Sequence, residues 1–278
     1  MNIPSLNIVG CGRLGRTLGR LWHEAGVFRV QDILTRSLPG ACHAAGFIGS
    51  GRPVGRMEDL RCADVWLVAT GDSEIESCCA HLAAARLFSA GNTVLHCSGA
   101  LSSEALRAAA NAGAATASMH PIKSFADPAR TAATFAGTWV GAEGHAEALA
   151  LLEPAFTRIG ARVVAIEAEH KRIYHAASVF ASNYLVTLLD VARQAYIKAG
   201  VPPETAMQVM EPLVRGSVDN VFALGTEQAL TGPVARGDVA TVVSQYRAVK
   251  QWDRRCGALY KQLAKLTRDL AARAKHKR

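Results

Sequence analysis

The 278-residue chain lacks several things, and each lack removes a class of function. No apolar run reaches the roughly 18 residues a membrane span needs, so an integral membrane protein is not expected. The N-terminus enters an apolar stretch almost at once, without a basic region followed by an apolar one, so no secretory signal is read. The seven cysteines form no C-x-x-C, and only Cys78 and Cys79 are adjacent. That usage fits reduced cytoplasmic thiols, not a disulfide framework or a zinc ribbon. No aromatic residue follows Tyr260, so the basic segment from Lys261 to Arg278 has nothing to stack on bases and reads as a solvated helix end. Nucleic-acid binding is not expected. Internal repeats and low-complexity linkers are also missing. What remains is half hydrophobic, enough for a large core in one or two domains. The formal charge of +8 points to an anionic ligand or a basic face.

The chain is organised around Ser5 to Ala25, a short apolar strand (Leu6, Ile8, Val9), a glycine turn and an amphipathic helix. Gly10, Gly12 and Gly15 spell G-x-G-x-x-G in the context a dinucleotide site demands, strand before and helix after. Gly10 makes the tight turn, Gly12 admits a pyrophosphate to the backbone, and Gly15 lets the helix lie on the sheet. The helix opens with Arg13 and Leu14, and its free N–H groups suit a diphosphate that Arg13 and Arg16 can reinforce. About 20 residues on, an NAD site places an acid against the ribose 2′-hydroxyl. Here that place holds Thr35, Arg36 and Ser37, a cation between hydroxyls, which suits a 2′-phosphate and favours NADP(H) over NAD(H). Asp32 is the rival acid, a few residues early.

Strand–helix alternation continues to about residue 166, the signature of a doubly wound parallel α/β sheet. Its strands are read at 65–69, in N-T-V-L-H-C-S-G-A-L, in A-A-T-A-S-M-H-P and at two later stretches, and Asp72 or Ser73 is expected to cap the helix after the first of these. Ligands in such sheets sit beyond the C-terminal strand ends, which brings Gly71, Ser98, Gly99 and His120 toward the crevice of the glycine turn. From Ala168 the pattern is helical only. The stretch up to Gly200 reads as one helix of about 32 residues, on the order of 48 Å. Further helices are expected over Glu204 to Val214, Ser217 to Leu224 and Asp238 to Ala274, with Asp238 as a cap. The composition shift divides the chain into a dinucleotide-binding domain, 1–166, and a helical domain, 167–278.

On a helical wheel Lys171, His175, Ser178 and Ser182 share one stripe roughly 60° wide, with Asn183 beside it. If that helix crosses the mouth of the nucleotide domain, the stripe faces the nicotinamide. Hydride transfer to or from a carbonyl or imine needs a proton donor or acceptor near the reacting atom, and an imidazole titrates in the right range. His175 is the candidate for proton transfer, with His120 and Asn183 orienting substrate. Lys171 would need burial or a nearby cation to act likewise, or it could anchor an acidic substrate. His96 and His120 both end strands, but no third ligand is spaced to complete a metal site, so none is expected.

The phrases N-I-V-G-C-G-R-L-G-R-T-L, H-C-S-G-A-L, S-M-H-P-I-K-S-F, Y-H-A-A-S-V-F-A-S-N-Y-L-V and L-T-G-P-V-A-R-G-D span nearly the whole chain. In these it resembles the 6-phosphogluconate dehydrogenase-like superfamily, and most closely a branch with a Rossmann-like N-terminal domain and a C-terminal helical domain of unknown function. The resemblance implies a nicotinamide-binding domain, an all-helical second domain and a homodimer formed through it. One departure stands out: dehydrogenases of the superfamily carry a Lys four residues before the Asn, where this chain has Val179 before Asn183. The expectation is a cytoplasmic NADP(H)-dependent oxidoreductase acting on a small, acidic carbonyl, alcohol or imine bound between the domains. Alternatives are a nucleotide-binding regulatory protein without turnover and a deazaflavin–NADP hydride exchanger.

Overall fold

The computed structural model describes residues 3–276; the last two residues of the basic tail lie outside the described residues. The chain forms two compact units, Met1–Ala181 and Ser182–Arg278.

The first unit is built on an eight-stranded sheet. In chain order it runs β1 (Ser5–Val9), α1 (Arg13–Glu24), β2 (Arg29–Leu34), α2 (Leu38–Ile48), β3 (Arg52–Val54), β4 (Val65–Val68) and α3 (Asp72–Ala84). There follow β5 (Thr93–His96), α4 (Arg107–Asn111), β6 (Ala115–Pro121), α5 (Pro128–Ala133), β7 (Trp139–Gly144), α6 (Ala146–Arg158), β8 (Arg162–Ala165) and α7 (Lys171–Val179). The strand order is β3-β2-β1-β4-β5-β6-β7-β8. All neighbours are parallel except β6 and β7, where Ala117 to Pro121 oppose Gly144 to Val140. The sheet is therefore mostly, not wholly, parallel, and β3 adds an edge strand beyond β2 that the sequence reading does not contain.

Period-two alternation assigns each strand residue to one of two cores. Leu6, Ile8, Val65, Leu67 and Leu95 face α1, α2 and α6, where Trp22, Leu18, Leu152 and Phe156 are buried. Val9, Trp66, Val68 and Val94 face α3 and α4, against Ile75, Leu82 and Leu106. Trp22 meets Phe28 and Phe156 edge-on and donates its indole N–H to the Ala155 carbonyl at 3.1 Å. Both faces of the central strands β1, β4 and β5 are covered, so they read as continuous apolar runs.

Asp32 holds the far edge together. It is fully buried and accepts from Arg52 Nε at 2.9 Å, Arg61 Nη2 at 2.6 Å and the Arg61 backbone N–H at 2.9 Å. Burial alone would raise its pKa, but the hydrogen bonds from Arg52 and Arg61 outweigh that and hold the carboxyl well below the usual carboxylate range. A depressed folded pKa contributes stability above the unfolded carboxylate value of about 3.9, lost as pH falls toward the folded value. Asp32→Asn is therefore expected to cost about 2 kcal/mol near neutrality, a figure discounted for the half-exposed guanidiniums, and progressively less below about pH 4. Denaturant titrations of both proteins from pH 6 to pH 3 check this; a difference that does not change with pH would contradict it.

The helical run after β8 differs from a single α-helix. A 3₁₀ turn at Ala168–His170 leads into α7, then a π-helical segment spans Phe180–Tyr184 before α8 (Leu185–Lys198). Each π turn takes one residue more than an α turn, so the wheel that placed Ser182 with Lys171 and His175 slips past Val179. The division between the units, after Ala181, falls inside this segment, so residues 167–181 belong with the sheet.

In the second unit α8 is followed by α9 (Pro203–Leu224), α10 (Thr226–Ala229), α11 (Pro233–Arg236), α12 (Val239–Trp252) and α13 (Arg254–His276). Two expectations are corrected. α9 runs unbroken through Pro212, forgoing one backbone hydrogen bond, where two helices were read. The last stretch breaks at Asp253, whose carboxylate accepts from Cys256 N–H at 2.7 Å and starts α13. Asp238 caps α12 as expected, accepting from Thr241 N–H at 3.0 Å. No helix among the described residues is long and apolar enough to cross a membrane.

Candidate functional site

The strand order reverses direction between β1 and β4, which makes the crevice beyond their C-terminal ends the topological switch point. Gly10 has φ +78°, and a Cβ on it would lie 2.5–2.7 Å from Thr70 Cγ2, N and Cα at the end of β4. Only glycine fits there. Gly12 begins α1, and a Cβ on it would touch no protein atom within 4 Å, so its backbone is open to an approaching group. A Cβ on Gly15 would meet Ala69 Cβ at 3.2 Å, the close helix–sheet approach. Arg13 is exposed, Leu14 is half-buried, and Arg16 folds back to donate to the Gly12 carbonyl at 3.3 Å. Gly71, exposed, starts α3.

At the end of β2, Thr35 Oγ1 donates to the Ser37 carbonyl at 2.8 Å, and Ser37 Oγ accepts from Gly40 N–H to cap α2. Arg36 is exposed and makes no ion pair or hydrogen bond among the described residues. Asp32, committed to Arg52 and Arg61, is not available to a ribose. A dinucleotide with a 2′-phosphate fits these residues: an unobstructed Gly12 backbone, an unpaired Arg36, and a Thr70 Oγ1 that is buried without a partner beside the turn.

A second cluster forms at the ends of β5 and β6. His96 is buried; its Nδ1 accepts from Ser98 N–H at 3.1 Å, which puts its proton on Nε2, donated to the Ser102 carbonyl at 3.0 Å. Burial, together with the nearby Lys171 charge, pushes its pKa down to about 4, so it is a neutral structural group. Ser98 Oγ donates to Asp72 Oδ2 at 2.8 Å and accepts from Ala100 and Leu101 N–H. That hydroxyl is spent inside the protein. Asp72 in turn does not cap α3, whose N-cap is Gly71 without a side-chain bond, because its carboxylate is taken by Ser98.

Gly99 is the crowded point. A Cβ on it would lie 2.2 Å from His175 Nδ1 and 2.8 Å from His120 Nε2. The two imidazoles are edge-to-face, with centroids 5.6 Å apart. His175 Nδ1 is buried and has no hydrogen-bond partner. His120 Nδ1 pairs with Tyr174 OH at 3.0 Å. Burial first, then the charge of Lys171, pushes the His120 pKa down to about 4.

Lys171 is almost fully buried, and its Nζ donates to the Ser98 carbonyl at 2.9 Å and Ser118 Oγ at 2.7 Å. Burial lowers its pKa; buried Glu143, itself bonded to Ser103, opposes that shift from beyond ion-pair distance. The burial condition that the sequence reading set for Lys171 is thus met, and its amine is committed to the Ser98 carbonyl and the Ser118 hydroxyl. The first unit brings Gly99, Ser98, His120, Lys171 and His175 together. Asn183 belongs to the second unit, in the π-helical segment, where it is exposed and its carbonyl accepts from Thr187 Oγ1. Tyr174, Ser118, Thr70 and Asp72 were not singled out as site residues. At about 100° per residue Tyr174 lies about 60° from Lys171 and about 40° beyond the stripe's edge at Ser178, so the wheel left it out although it directly precedes His175.

Among the comparisons, the family described as a Rossmann-like domain matches residues 3–121 and the domain of unknown function DUF2520 matches residues 138–267. The second match starts at β7, inside the sheet. No curated protein matches the chain. Protein TM1727 from Thermotoga maritima is 29% identical, with 98% of this chain and 100% of that one covered and a TM-score of 0.75. BF3122 from Bacteroides fragilis, described provisionally as an NADP oxidoreductase, is 20% identical over 96% and 98% of the two chains, with a TM-score of 0.74. An imine reductase from Myxococcus stipitatus in complex with NADP+ is 16% identical over 99% and 95%, with a TM-score of 0.66. The N-terminal part of the chain thus matches a Rossmann-like domain and the C-terminal part the DUF2520 domain, and the similar structures share its fold.

Proposed function

We propose that the protein is an NADP(H)-dependent oxidoreductase that moves a hydride to or from a small, acidic carbonyl, alcohol or imine. The observation that carries this is the convergence of His120 and His175 on Gly99, in the same sheet-end crevice region that holds the glycine turn. The similar structures include one with NADP+ bound, which supports the cofactor class.

Gly10 to Gly15 and the start of α1 would hold the diphosphate, Arg36 with Thr35 and Ser37 the 2′-phosphate, and Gly71 and Gly99 would border the rest of the dinucleotide. When bound, the nicotinamide supplies or accepts the hydride. His175 Nδ1 holds or passes the proton at the reacting oxygen or nitrogen, because it is buried and otherwise unpartnered. His120, kept neutral, orients that atom by a hydrogen bond. Lys171 fixes α7 against β5 and β6 and supplies a positive field behind the site. The excess of basic residues fits an acidic substrate. We further infer a cytoplasmic homodimer: Leu213, Phe222, Val239 and Leu266 of the second unit are 64%, 86%, 69% and 65% exposed, an apolar surface that a second copy would cover.

The test is NADPH oxidation against a panel of small oxo-acids and cyclic imines, with and without His175→Gln. Turnover that depends on His175 supports the reading. Tight NADPH binding with no turnover on any member would instead favour a nucleotide sensor. Arg36→Ala is expected to weaken NADPH binding roughly 10- to 100-fold, the worth of a charge-assisted hydrogen bond, while leaving NADH affinity unchanged. Fluorescence titration with both nucleotides reads the difference, and equal losses for the two would remove Arg36 from the 2′-phosphate site.

A further inference from the structure

Building on the reading of the Gly99 corner as the reaction centre, we propose that Tyr174 is a positioning residue. Its phenol donates to His120 Nδ1 and so holds the His120 proton on Nε2, the nitrogen that faces Gly99. The fold provides a dedicated slot for that phenol. His120 is paired directly across β6–β7 with Gly141. A Cβ on Gly141 would lie 2.4 Å from Tyr174 OH and 2.7 Å from Cζ, so the ring occupies the place a side chain opposite His120 would take. The two rings meet edge-on, with centroids 5.5 Å apart. Lys171, three residues earlier in α7, is anchored to Ser98 and Ser118, and its Nζ lies 5.8 Å from the centroid of the Tyr174 ring.

The direction of the Tyr174–His120 bond follows from what surrounds it. A buried N–H without an acceptor is rarer than a buried lone pair, so the unpartnered Nδ1 of His175 is best read as a lone pair. His120 Nε2 and His175 Nδ1 both crowd the one point above Gly99. If the phenol accepted from His120 Nδ1, two lone pairs would oppose each other in that buried corner with no donor between them. With the phenol donating, the corner offers one donor, His120 Nε2–H, and one acceptor, His175 Nδ1.

One donor beside one acceptor fits a hydroxyl, which accepts from the first and donates to the second. A carboxylate can only accept, so an acidic substrate would place its charge elsewhere and its alcohol or carbonyl here. In the oxidation direction the C–H bond breaks with its electron pair passing as hydride to oxidised nicotinamide. The C=O bond forms as the O–H proton goes to His175 Nδ1, and reduction runs the same transfers backwards.

The test is the tautomer itself, read in the full-length protein labelled with ¹⁵N-histidine by two-bond ¹H–¹⁵N correlation, with His120 signals assigned by His120→Gln. The expected parent state is Nε2–H with Nδ1 as acceptor. Tyr174→Phe should shift His120 to a mixture or to Nδ1–H, with NADPH affinity within about twofold of the parent. An Nδ1–H tautomer in the parent, or an unchanged tautomer in Tyr174→Phe, would overturn the proposal. Should Tyr174→Phe not fold, Gly141→Ala puts a methyl where the phenol lies and gives the same readout. Because the tautomer is seen without turnover, a chain that oxidises no NADPH would sink the oxidoreductase reading and still leave this assignment decided on its own evidence.

Discussion

Gly99→Ala is expected to lower turnover about 100-fold, with a much smaller loss of NADPH affinity. A methyl at that position would sit 2.2 Å from His175 Nδ1 and 2.8 Å from His120 Nε2, far inside van der Waals contact. Both imidazoles must therefore move by about an ångström, and a misplacement of that size costs on the order of 10²-fold in rate. His120 cannot retreat freely, because Tyr174 holds its other nitrogen. The diphosphate turn lies on β1 and is not touched by the substitution. Steady-state kinetics on whichever substrate the panel identifies, beside a nucleotide titration, separates the two effects. Parent-like turnover in Gly99→Ala would mean the imidazoles over Gly99 are not where reaction occurs.

Gly10→Ala is expected to destabilise the first unit by about 2–5 kcal/mol and to abolish NADPH binding. Two costs add. An L-residue in the left-handed region costs roughly 1–2 kcal/mol, and Gly10 has φ +78°. Its methyl would also press on Thr70 N and Cα at 2.6 and 2.7 Å, backbone atoms just past β4 that have no rotamer to give, for about 1–3 kcal/mol more. Relief requires the β1 and β4 ends to separate, which opens the turn that presents the α1 N-terminus. Thermal melts with and without NADPH measure both consequences. A Gly10→Ala protein with parent-like melting and nucleotide-dependent stabilisation would show that the turn tolerates a side chain.

The local features were legible because their causes lie within a few residues. The spacing of Gly10, Gly12 and Gly15, and the Thr35-Arg36-Ser37 run at the end of β2, describe one turn each, and a turn's backbone needs are written in its own residues. Strand identity in Val65–Val68 or Thr93–His96 followed from apolar runs that a twice-covered parallel sheet demands. The Asp238 cap was visible for the same reason. Helix breaks were less legible: Pro212 did not end α9, whereas Asp253 separated α12 from α13.

The candidate site was only half legible. His120, His175, Ser98 and Gly99 could be nominated from strand ends and a helical wheel, but their partnerships could not. The wheel assumed 100° per residue and slipped at the π-helical Phe180–Tyr184, so Ser182 and Asn183 were carried into a stripe that does not continue. Ser98 was nominated as a ligand contact, and its hydroxyl is bonded to Asp72; Lys171 was placed on the stripe facing the nicotinamide, and its amine is committed to Ser98 and Ser118.

Sequence by itself determined the doubly wound class, the glycine turn, the Thr35-Arg36-Ser37 run at the end of β2, and the helical second half, since each depends on periodicity or on neighbours in the chain. Tertiary structure alone decided that β7 runs against β6, that Asp32 is claimed by Arg52 and Arg61, and that Tyr174 reaches His120 through the slot left by Gly141. Those contacts join residues tens of positions apart. Their energies depend on which side chains a register brings opposite one another, and no local pattern encodes a register.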